Sequence, residues 1–466
     1  MFQLYIRIWN SKKSKISNEI KSQLLIRKTE NIMKKLLLFI FAFSSFTFAQ
    51  DKFTKMDSLL NYLYENNKFM GSLTIREGEN VVFNKAYGFA DGEKNILANR
   101  ETKYKIGSVT KTFTAVMIMQ LIEEKKLTLQ TKLNRFYPKI PNAEKISISD
   151  LLHHRTGIID YINGDSITAQ NIYRFHSKEE MVQKITDYKP LFEPGTKHEY
   201  SNSNYNLLGY IIETLTKKSF AENIQSRIVK KANLLNTYYP EGKIDTSTGE
   251  SYSYTFNGTE WEKVEEWENS IAYSAGAMIS TPADLTRFMH ALFEGKLVNK
   301  KSLEEMKEIK EGYGKALVQF PFGERRFFGH TGGIESFRAV VGYYPTEKLG
   351  VSLIVNGDNF NRNDIMIGVL SIYYKMPFPF PVFMKMDMVE LAKFTRTYVS
   401  KDLPLKITIT EKNGELLAQA TGQSAFPLTF KEEKTFVFTP AGIEMAFDEN
   451  TFVLKQGGMN FNFTKE

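Results

Sequence analysis

Ser108 and Lys111 are the residues in this sequence whose types and spacing are best suited to covalent chemistry. From Val109 onward apolar side chains recur at helical spacing, and a helix places residues three apart on one face. The lysine amine would then lie beside the serine hydroxyl, where it can help to remove the hydroxyl proton while the serine attacks a carbonyl carbon. Backbone N–H groups at the helix N-terminus would stabilise the resulting oxyanion.

The same two residues also have a structural interpretation. Ser108 follows Gly107 at the position of an N-cap, and Lys111 is a first-turn lysine that water can solvate. Composition alone predicts roughly three S-x-x-K matches in a chain of this kind, so one match carries little weight. The catalytic interpretation therefore needs partners elsewhere in the chain.

Two further polar segments are candidates for these partners. Three Tyr-x-Asn triplets occur: Tyr64/Asn66, Tyr161/Asn163 and Tyr200/Asn202. Only the third lies in a loop rich in Pro, Gly, Ser and Asn that leads directly into an apolar helical pattern. The second segment is His330-Thr331-Gly332, followed by Gly333, in a β-prone stretch whose edge could offer N–H and C=O groups to a substrate backbone.

With these three blocks in this order, the chain resembles the serine β-lactamase and penicillin-binding superfamily. Within that superfamily it is similar to the branch of class C β-lactamases, D-alanyl-D-alanine carboxypeptidases, D-aminopeptidases and related esterases. Flanking segments match as well, namely Tyr104–Ala115, Leu151–Gly157 and Ala275–Asp284. The resemblance covers about residues 55–375.

The resemblance implies a role for each matching residue. Ser108 is the expected nucleophile, and Lys111 and Tyr200 are expected to handle its proton. Asn202 would hydrogen-bond the substrate amide, and the N–H groups of Ser108 and Gly333 would form the oxyanion hole. A free tyrosine has a pKa near ~10, so Tyr200 could act as a base only if Lys111 lowers that pKa. Which of the two takes the proton stays open.

The third block departs from the pattern of many β-lactamases, because His330 stands where they have lysine. With a reference pKa near ~6.5, His330 would carry part of a positive charge at neutral pH. We therefore expect affinity for acidic substrates to rise as the pH falls. His153 and His154 lack an acidic neighbour at metalloprotease spacing and are interpreted as packing or loop residues.

The surrounding elements predict an α+β fold. A helix over 51–66 and a hairpin around Glu77–Asn80 precede the Ser108 helix, a mostly helical stretch follows to about residue 300, and strands return from Phe327 to Val355. The expected domain, residues 50–375, is an antiparallel sheet flanked by helices with a helical insertion. A Pro-rich linker (376–388) then leads to a small all-β barrel or sandwich (389–466), whose short strands are separated by turns such as Asn413-Gly414.

The N-terminal segment is interpreted as a targeting sequence. Met33–Gln50 has a basic start, a short apolar run and a small residue at Ala49, as a secretory signal peptide cleaved after Ala49 would have. Residues 1–49 are therefore not expected to form part of the folded domain. The alternative to a cleaved signal peptide is an uncleaved anchor. They contain nine Lys or Arg and two Glu, which is +7 of the net charge of +8, so the basic balance implies no nucleic-acid partner.

The chain has no cysteine, which excludes disulfides, thiolate metal sites and a cysteine nucleophile. No metal site and no cofactor are predicted.

We expect an exported, periplasmic or extracellular, serine hydrolase acting on a small molecule or peptide, with a D-Ala-D-Ala-type peptide as substrate and β-lactams as acylating agents. The alternatives are an esterase on the same machinery and a non-catalytic receptor for peptidoglycan fragments or β-lactams. A lipase-type hydrolase is disfavoured because no G-x-S-x-G motif is found.

Overall fold

The computed structural model of the protein describes residues 52–162, 167–383, 388–412, 414–438 and 441–466. Four sequence interpretations lie wholly or partly outside these ranges. They are the signal peptide at Met33–Gln50 with the upstream residues, the triplet containing Asn163, the turn at Asn413 and part of the Pro-rich linker. These stay predictions.

Helices and strands alternate irregularly up to residue 373. The helices are α1 (52–65), α2 (Thr110–Glu123), α3 (Ile148–Leu152), α4 (Lys178–Asp187), α5 (Asn202–Thr216), α6 (Phe220–Ile224), α7 (Lys230–Ala232), α8 (Asn269–Gly276), α9 (Pro282–Phe293), α10 (Lys300–Lys307) and α11 (Arg362–Tyr373). The strands are β1 (Phe69–Glu77), β2 (Asn80–Tyr87), β3 (Phe89–Asp91), β4 (Ile96–Leu97), β5 (Tyr104–Lys105), β6 (Tyr254–Phe256), β7 (Trp261–Lys263), β8 (Ile279–Ser280), β9 (Val318–Phe322), β10 (Arg325–Ile334), β11 (Phe337–Tyr344) and β12 (Leu349–Asp358).

The main sheet joins the two ends of this region. Its strand order is β2-β1-β12-β11-β10-β9, and these neighbours are antiparallel. The N-terminal hairpin pairs with β12 through contacts such as Leu73 opposite Leu353. The predicted α+β arrangement is therefore confirmed, with the helical insertion between β2 and β9.

Helix α2 is confirmed, but it is more buried than the apolar residues at helical spacing in the sequence indicate. Every residue from Thr110 to Leu121 is buried, because α2 packs against the helices α5, α6, α8 and α10. Phe113 stacks on Phe288 of α9 with ring centroids 3.9 Å apart, and α9 packs on β1, β11 and β12. A helix that is buried on all sides has a rigid position relative to the sheet.

Helix α3 departs from its prediction. The sequence predicts a short helix from Asp150 that Gly157 stops. The observed helix begins at Ile148, where Ser147 and Asp150 form a capping box, and it ends before His153. His154 then adopts a left-handed conformation (φ 55°), so the chain turns well before Gly157.

The C-terminal region contains helix α12 (Met388–Ala392) and a closed eight-stranded antiparallel barrel. Its strands are β13 (Thr397–Ser400), β14 (Lys406–Lys412), β15 (Glu415–Ala420), β16 (Phe426–Glu432), β17 (Thr435–Phe438), β18 (Ile443–Phe447), β19 (Thr451–Gln456) and β20 (Met459–Lys465). β13 pairs with β20 and closes the ring. Closure leaves no exposed sheet edge. The predicted all-β barrel is confirmed, and the proposed domain boundaries stay predictions.

Candidate active site

The turn that carries Ser108 is not a helix cap. Residues Gly107–Val109 form one 3₁₀ turn, and the α-helix proper begins at Thr110. No side-chain capping hydrogen bond is present at either start, so the N-cap interpretation of Ser108 is wrong. The serine hydroxyl is thus available for other contacts, and its residue is partly exposed.

Lys111 is buried rather than solvated. Its Nζ lies 3.0 Å from Ser108 Oγ. It also donates hydrogen bonds to Asn202 Oδ1 at 2.7 Å and to the carbonyl oxygen of Ala275 at 2.8 Å. The interpretation of Lys111 as a first-turn surface lysine is therefore wrong.

The acceptors of Lys111 come from two other helices. Asn202 is the first residue of α5, which follows the polar loop. In α8 the backbone leaves helical geometry at Tyr273 (φ 37°, ψ −126°), two residues before Ala275. Helix termini and kinks free carbonyl groups from helical hydrogen bonds, and here the carbonyls of Ser274 and Ala275 accept from side chains of α2.

The ring of Tyr200 lies beside the same amine. Lys111 Nζ is 4.9 Å from the centroid of that ring. Burial raises the pKa of Tyr200, and a hydrogen bond with Ser108 opposes this only in part. The lowered pKa that a tyrosine base requires is therefore absent. Burial lowers the pKa of Lys111 to about 7, while the carboxylate of Asp160 acts in the opposite direction.

Asp160 was not found by sequence reasoning. Its Oδ2 accepts a hydrogen bond from Asn202 Nδ2 at 2.7 Å, and Asn202 links it to Lys111. Burial raises the pKa of Asp160. Because Asp160 simply follows two isoleucines in a loop, no local pattern marks it. One N–H hydrogen of Asn202 remains for a substrate amide, which is the role that the resemblance implies.

The third block lies against the nucleophile turn through backbone atoms. Gly107 has φ +51°, and a Cβ added there would lie 2.6 Å from the amide nitrogen of Gly333. A Cβ at Gly332 would lie 2.0 Å from the carbonyl oxygen of Ile106 and 3.0 Å from the amide nitrogen of Ser108. Only glycine permits these approaches. β9 pairs with β10 only as far as Gly329, so beyond it this edge of β10 has no strand partner within the described ranges.

His330 does not have the predicted partial charge. Its side chain is buried, its Nε2 lies 2.9 Å from the hydroxyl oxygen of Tyr313, and its Nδ1 lies 2.5 Å from the carbonyl oxygen of Thr331. Burial, together with the positive charge of Lys111, lowers the pKa of His330 to about 4. The imidazole is therefore neutral at pH 7. The expectation that His330 titrates near neutrality is wrong because its side chain is buried, which the sequence does not reveal.

The side chain of Thr331 lies on the face of β10 opposite to that of His330. It lines a cavity of about 220 Å³ together with apolar side chains and with Arg362 at the start of α11. Arg362 Nε lies 3.4 Å from Asp358 Oδ2, and Arg338 also acts on that carboxylate. Two guanidinium groups share one carboxylate, so the cluster keeps at least one net positive charge.

His153 and His154 are both buried, as packing residues are. His154 supports the Tyr200 loop, since its ring centroid is 4.3 Å from that of Tyr200. The amide of Ser201 donates to His154 Nδ1 at 3.1 Å, and the amide of Glu199 donates to the His154 carbonyl at 2.9 Å. The left-handed backbone of His154 is thus stabilised by contacts on both sides of Tyr200.

Within the described ranges, no three His, Cys, Asp or Glu side chains are arranged to hold a metal ion. In the same part of the chain, no helix is both long enough and apolar enough to cross a bilayer.

The part of the chain that forms this site matches a known protein family. The β-lactamase family model matches residues 67–369, which is more than half of the chain. The chain belongs to the β-lactamase family. The matched segment contains all three blocks of the candidate site and ends before the barrel.

Individual relatives agree with the family. The chain is 31% identical over 250 residues to a putative penicillin-binding protein, PbpX, of Bacillus subtilis, covering 53% of this chain and 60% of that one. It is 29% identical over 252 residues to the teichoic acid D-alanine hydrolase of Staphylococcus aureus, covering 54% and 60%. The match thus spans 60% of the length of these two curated relatives.

The structural comparison extends further along the chain. The octameric penicillin-binding protein homologue from Pyrococcus abyssi superposes with a TM-score of 0.65 at 22% identity, covering 88% of this chain and 99% of that one. At this identity the likeness concerns the fold alone. It supports the assignment of both the sheet region and the C-terminal region.

Proposed function

We propose that this β-lactamase-family chain is a serine hydrolase that forms an acyl-enzyme through Ser108, with an amide of the D-alanyl-D-alanine type as its substrate. The observation that carries the proposal is the set of three contacts of the Lys111 amine. A neutral amine has two N–H groups and one lone pair. Asn202 Oδ1 and the carbonyl oxygen of Ala275 accept hydrogen bonds from the two N–H groups of neutral Lys111. The lone pair of its nitrogen is therefore directed at the hydroxyl of Ser108.

In the proposed reaction the proton of Ser108 passes to Lys111 as the serine oxygen bonds to the substrate carbonyl carbon. The N–H groups of Ser108 and Gly333 stabilise the oxyanion. Lys111, now protonated, returns the proton to the leaving amine as the C–N bond breaks. Water then attacks the ester, adds a hydroxyl to the acyl carbon and releases Ser108 with its proton restored.

Lys111 is the base in this proposal, and Tyr200 remains protonated. A lysine with a pKa of about 7 is largely neutral above that pH and can accept a proton. A tyrosine whose pKa is raised by burial holds its proton at any physiological pH. The hydroxyl of Tyr200 is therefore a hydrogen-bond donor at the site rather than a proton acceptor.

The substrate carboxylate needs a positive charge, and a neutral His330 does not supply it. Arg362 lines the same cavity as Thr331, and Arg338 acts on the same Asp358 carboxylate as Arg362. The Arg338 guanidinium also lies 3.6 Å from the position of a Cβ at Gly333, so the net positive charge of this cluster lies beside β10. We assign the carboxylate of a D-alanyl-D-alanine-type substrate to this cluster. Replacing Arg362 with Gln would then raise KM for a substrate with a free carboxylate and leave KM for its amidated analogue unchanged.

An esterase is the second candidate, because the same attack on an ester requires no new group. Its one favouring observation is the similarity to a relative described as a teichoic acid D-alanine hydrolase, a name that specifies D-alanine rather than a peptide. Turnover of D-alanyl esters without turnover of D-alanyl-D-alanine peptides would favour it. A non-catalytic receptor would bind either compound without turnover.

The deciding experiment is mass spectrometry of the intact protein after incubation with a β-lactam. Wild type is expected to gain the mass of one β-lactam, localised by peptide mapping to Ser108, and Ser108→Ala is expected to gain none. A matched control is Ser72→Ala, since Ser72 is a buried serine that hydrogen-bonds the Tyr104 hydroxyl. Absence of an adduct together with absence of turnover of amide and ester substrates would overturn the proposal.

We also propose that the protein is exported, on the signal-peptide pattern of Met33–Gln50. N-terminal sequencing of the mature protein from cell fractions tests this. A new N-terminus at Gln50 in the exported fraction is expected, and an intact protein confined to the cytoplasm would contradict the proposal.

A further inference from the structure

A buried ion pair connects the turn carrying Ser108 to the end of β10. Lys105 Nζ lies 2.7 Å from Glu335 Oε1, and the two side chains are 1% and 0% exposed. Lys105 precedes Ser108 by three residues, and Glu335 follows Gly333 by two. The pair therefore bridges the two segments whose N–H groups would form the oxyanion hole.

The backbone of Glu335 is in a conformation that glycine adopts more easily. Glu335 has φ +51°, and it is the first of the two residues that connect β10 to β11 between the paired residues Ile334 and Phe337. Tight hairpins of this kind favour glycine at positions with positive φ. The hairpin itself does not need a carboxylate there, so its presence calls for another reason.

The pair also contacts the segment that leads into α8. The amide of Trp267 donates to Glu335 Oε1 at 2.9 Å, and Glu266 Oε2 lies 3.6 Å from Lys105 Nζ. Helix α8 supplies Ala275, which accepts from Lys111. Three segments of the site thus meet at one buried pair.

Stability alone explains this pair poorly. Glu335 Oε2 is buried and has no hydrogen-bond partner within the described part of the chain. A buried ion pair with an unsatisfied oxygen is often no more stabilising than apolar side chains of similar size, because both charges lose their hydration. The strained backbone of Glu335 and its incompletely hydrogen-bonded carboxylate both lower stability. They therefore indicate that the pair has a role in positioning the segments that it connects.

We propose that the Lys105–Glu335 pair is a positioning element that holds Gly333 against the Gly107-Ser108 turn, so that both oxyanion-hole N–H groups point at one site. This inference rests on the proposed acyl transfer at Ser108. The backbones of Gly107 and Gly333 are already in close contact, so a small displacement of the hairpin changes the spacing of the two N–H groups. A misplacement of about 1 Å can lower a rate about 100-fold.

The test compares Glu335→Gly with the double variant Lys105→Met/Glu335→Gly. Glycine relieves the strain at residue 335, and the double variant also removes the lysine, which would otherwise still pair with Glu266. The control is Lys348→Gly. Lys348 immediately precedes β12, has the same positive φ (+51°) as Glu335 and forms an ion pair with Glu294 at 2.8 Å. Each protein is acylated by p-nitrophenyl acetate and by a chromogenic cephalosporin in stopped flow, and its thermal midpoint is recorded.

We expect both substituted proteins to keep the apparent dissociation constant for each reagent within threefold of wild type and to lose about 100-fold in the limiting acylation rate. Lys348→Gly should keep the wild-type rate. A limiting rate within threefold of wild type in either folded variant would overturn the proposal. Loss of the folded state in both would assign the pair to stability and overturn it as well. If wild type itself is not acylated at Ser108, the proposed function fails instead, and the two failures are thereby distinguished.

Discussion

Lys111 Nζ lies 3.0 Å from Ser108 Oγ inside the core, while Ser108 itself remains partly exposed. This asymmetry brings a buried amine into contact with a hydroxyl that a substrate can reach. Burial makes the charged form of the amine unfavourable, which is why its pKa is lowered to about 7. A lysine on the surface at the same sequence spacing would stay protonated and could not accept the serine proton.

Replacing Lys111 with methionine is expected to lower the limiting acylation rate by about 10²- to 10⁴-fold, because the variant lacks the base. Tyr200→Phe should lower it less, since Tyr200 keeps its proton and only donates. Stopped-flow acylation of both variants by the same ester measures this order. A larger loss in Tyr200→Phe than in Lys111→Met would identify Tyr200 as the base and contradict the assignment.

The acylation rate is expected to rise with pH through about 7, because Lys111 accepts a proton only in its neutral form, which predominates above its pKa. Asp160→Asn removes a negative charge that raises the pKa of Lys111, so the acidic limb of the profile should move to lower pH. Asp245→Asn removes a carboxylate that caps a turn through Ser247 and serves as the control. An unchanged acidic limb in Asp160→Asn would show that Asp160 does not influence the base.

His330 is expected to stay neutral between pH 5 and 8, since burial lowers its pKa to about 4. NMR titration of the histidine side chains in labelled protein measures this directly, with His330→Gln used to assign its signal. In a Ser108→Ala background, His330→Gln should bind a carboxylate ligand with a pH dependence parallel to that of its parent. A midpoint for His330 between 6 and 7 would restore the partly charged histidine that the sequence predicts.

Gly107→Ala is expected to lower both stability and acylation. A residue with a side chain loses about 1–2 kcal/mol in a left-handed conformation, and the added methyl group would also collide with the backbone of Gly333. Gly78→Ala is the matched control, because Gly78 has φ +55° but no atom within 4 Å of the added position. Urea unfolding and acylation rates measure both effects. Equal losses in the two variants would indicate that the contact with Gly333 is unimportant.

Periodic patterns made much of the architecture predictable. The hairpin of β1 and β2, the strands β10 to β12 and helix α5 follow alternation and helical spacing within a few residues. The barrel strands β14 to β20 follow short alternating runs between turns. Each of these signals arises from neighbours in the chain, so it is visible without the fold.

Burial was not predictable in the same way. The sequence could present Lys111 equally as a surface residue and His330 as a titrating one, because the environment of each depends on segments far along the chain. His330 is neutral because Tyr313 and the core enclose it, and the pKa of Lys111 is lowered by its burial against the opposing charge of Asp160. A pattern of neighbours contains no information about such contacts.

The sequence by itself determined which residues are available for chemistry: a serine and a lysine three apart, a Tyr-x-Asn triplet before a helix, and a histidine-threonine-glycine strand. The tertiary structure alone decided their charge states and their partners, including Asp160, Ala275 and the Lys105–Glu335 pair. The physical reason is that side-chain identity and helical spacing are local, whereas desolvation and hydrogen-bond geometry depend on atoms brought together by folding.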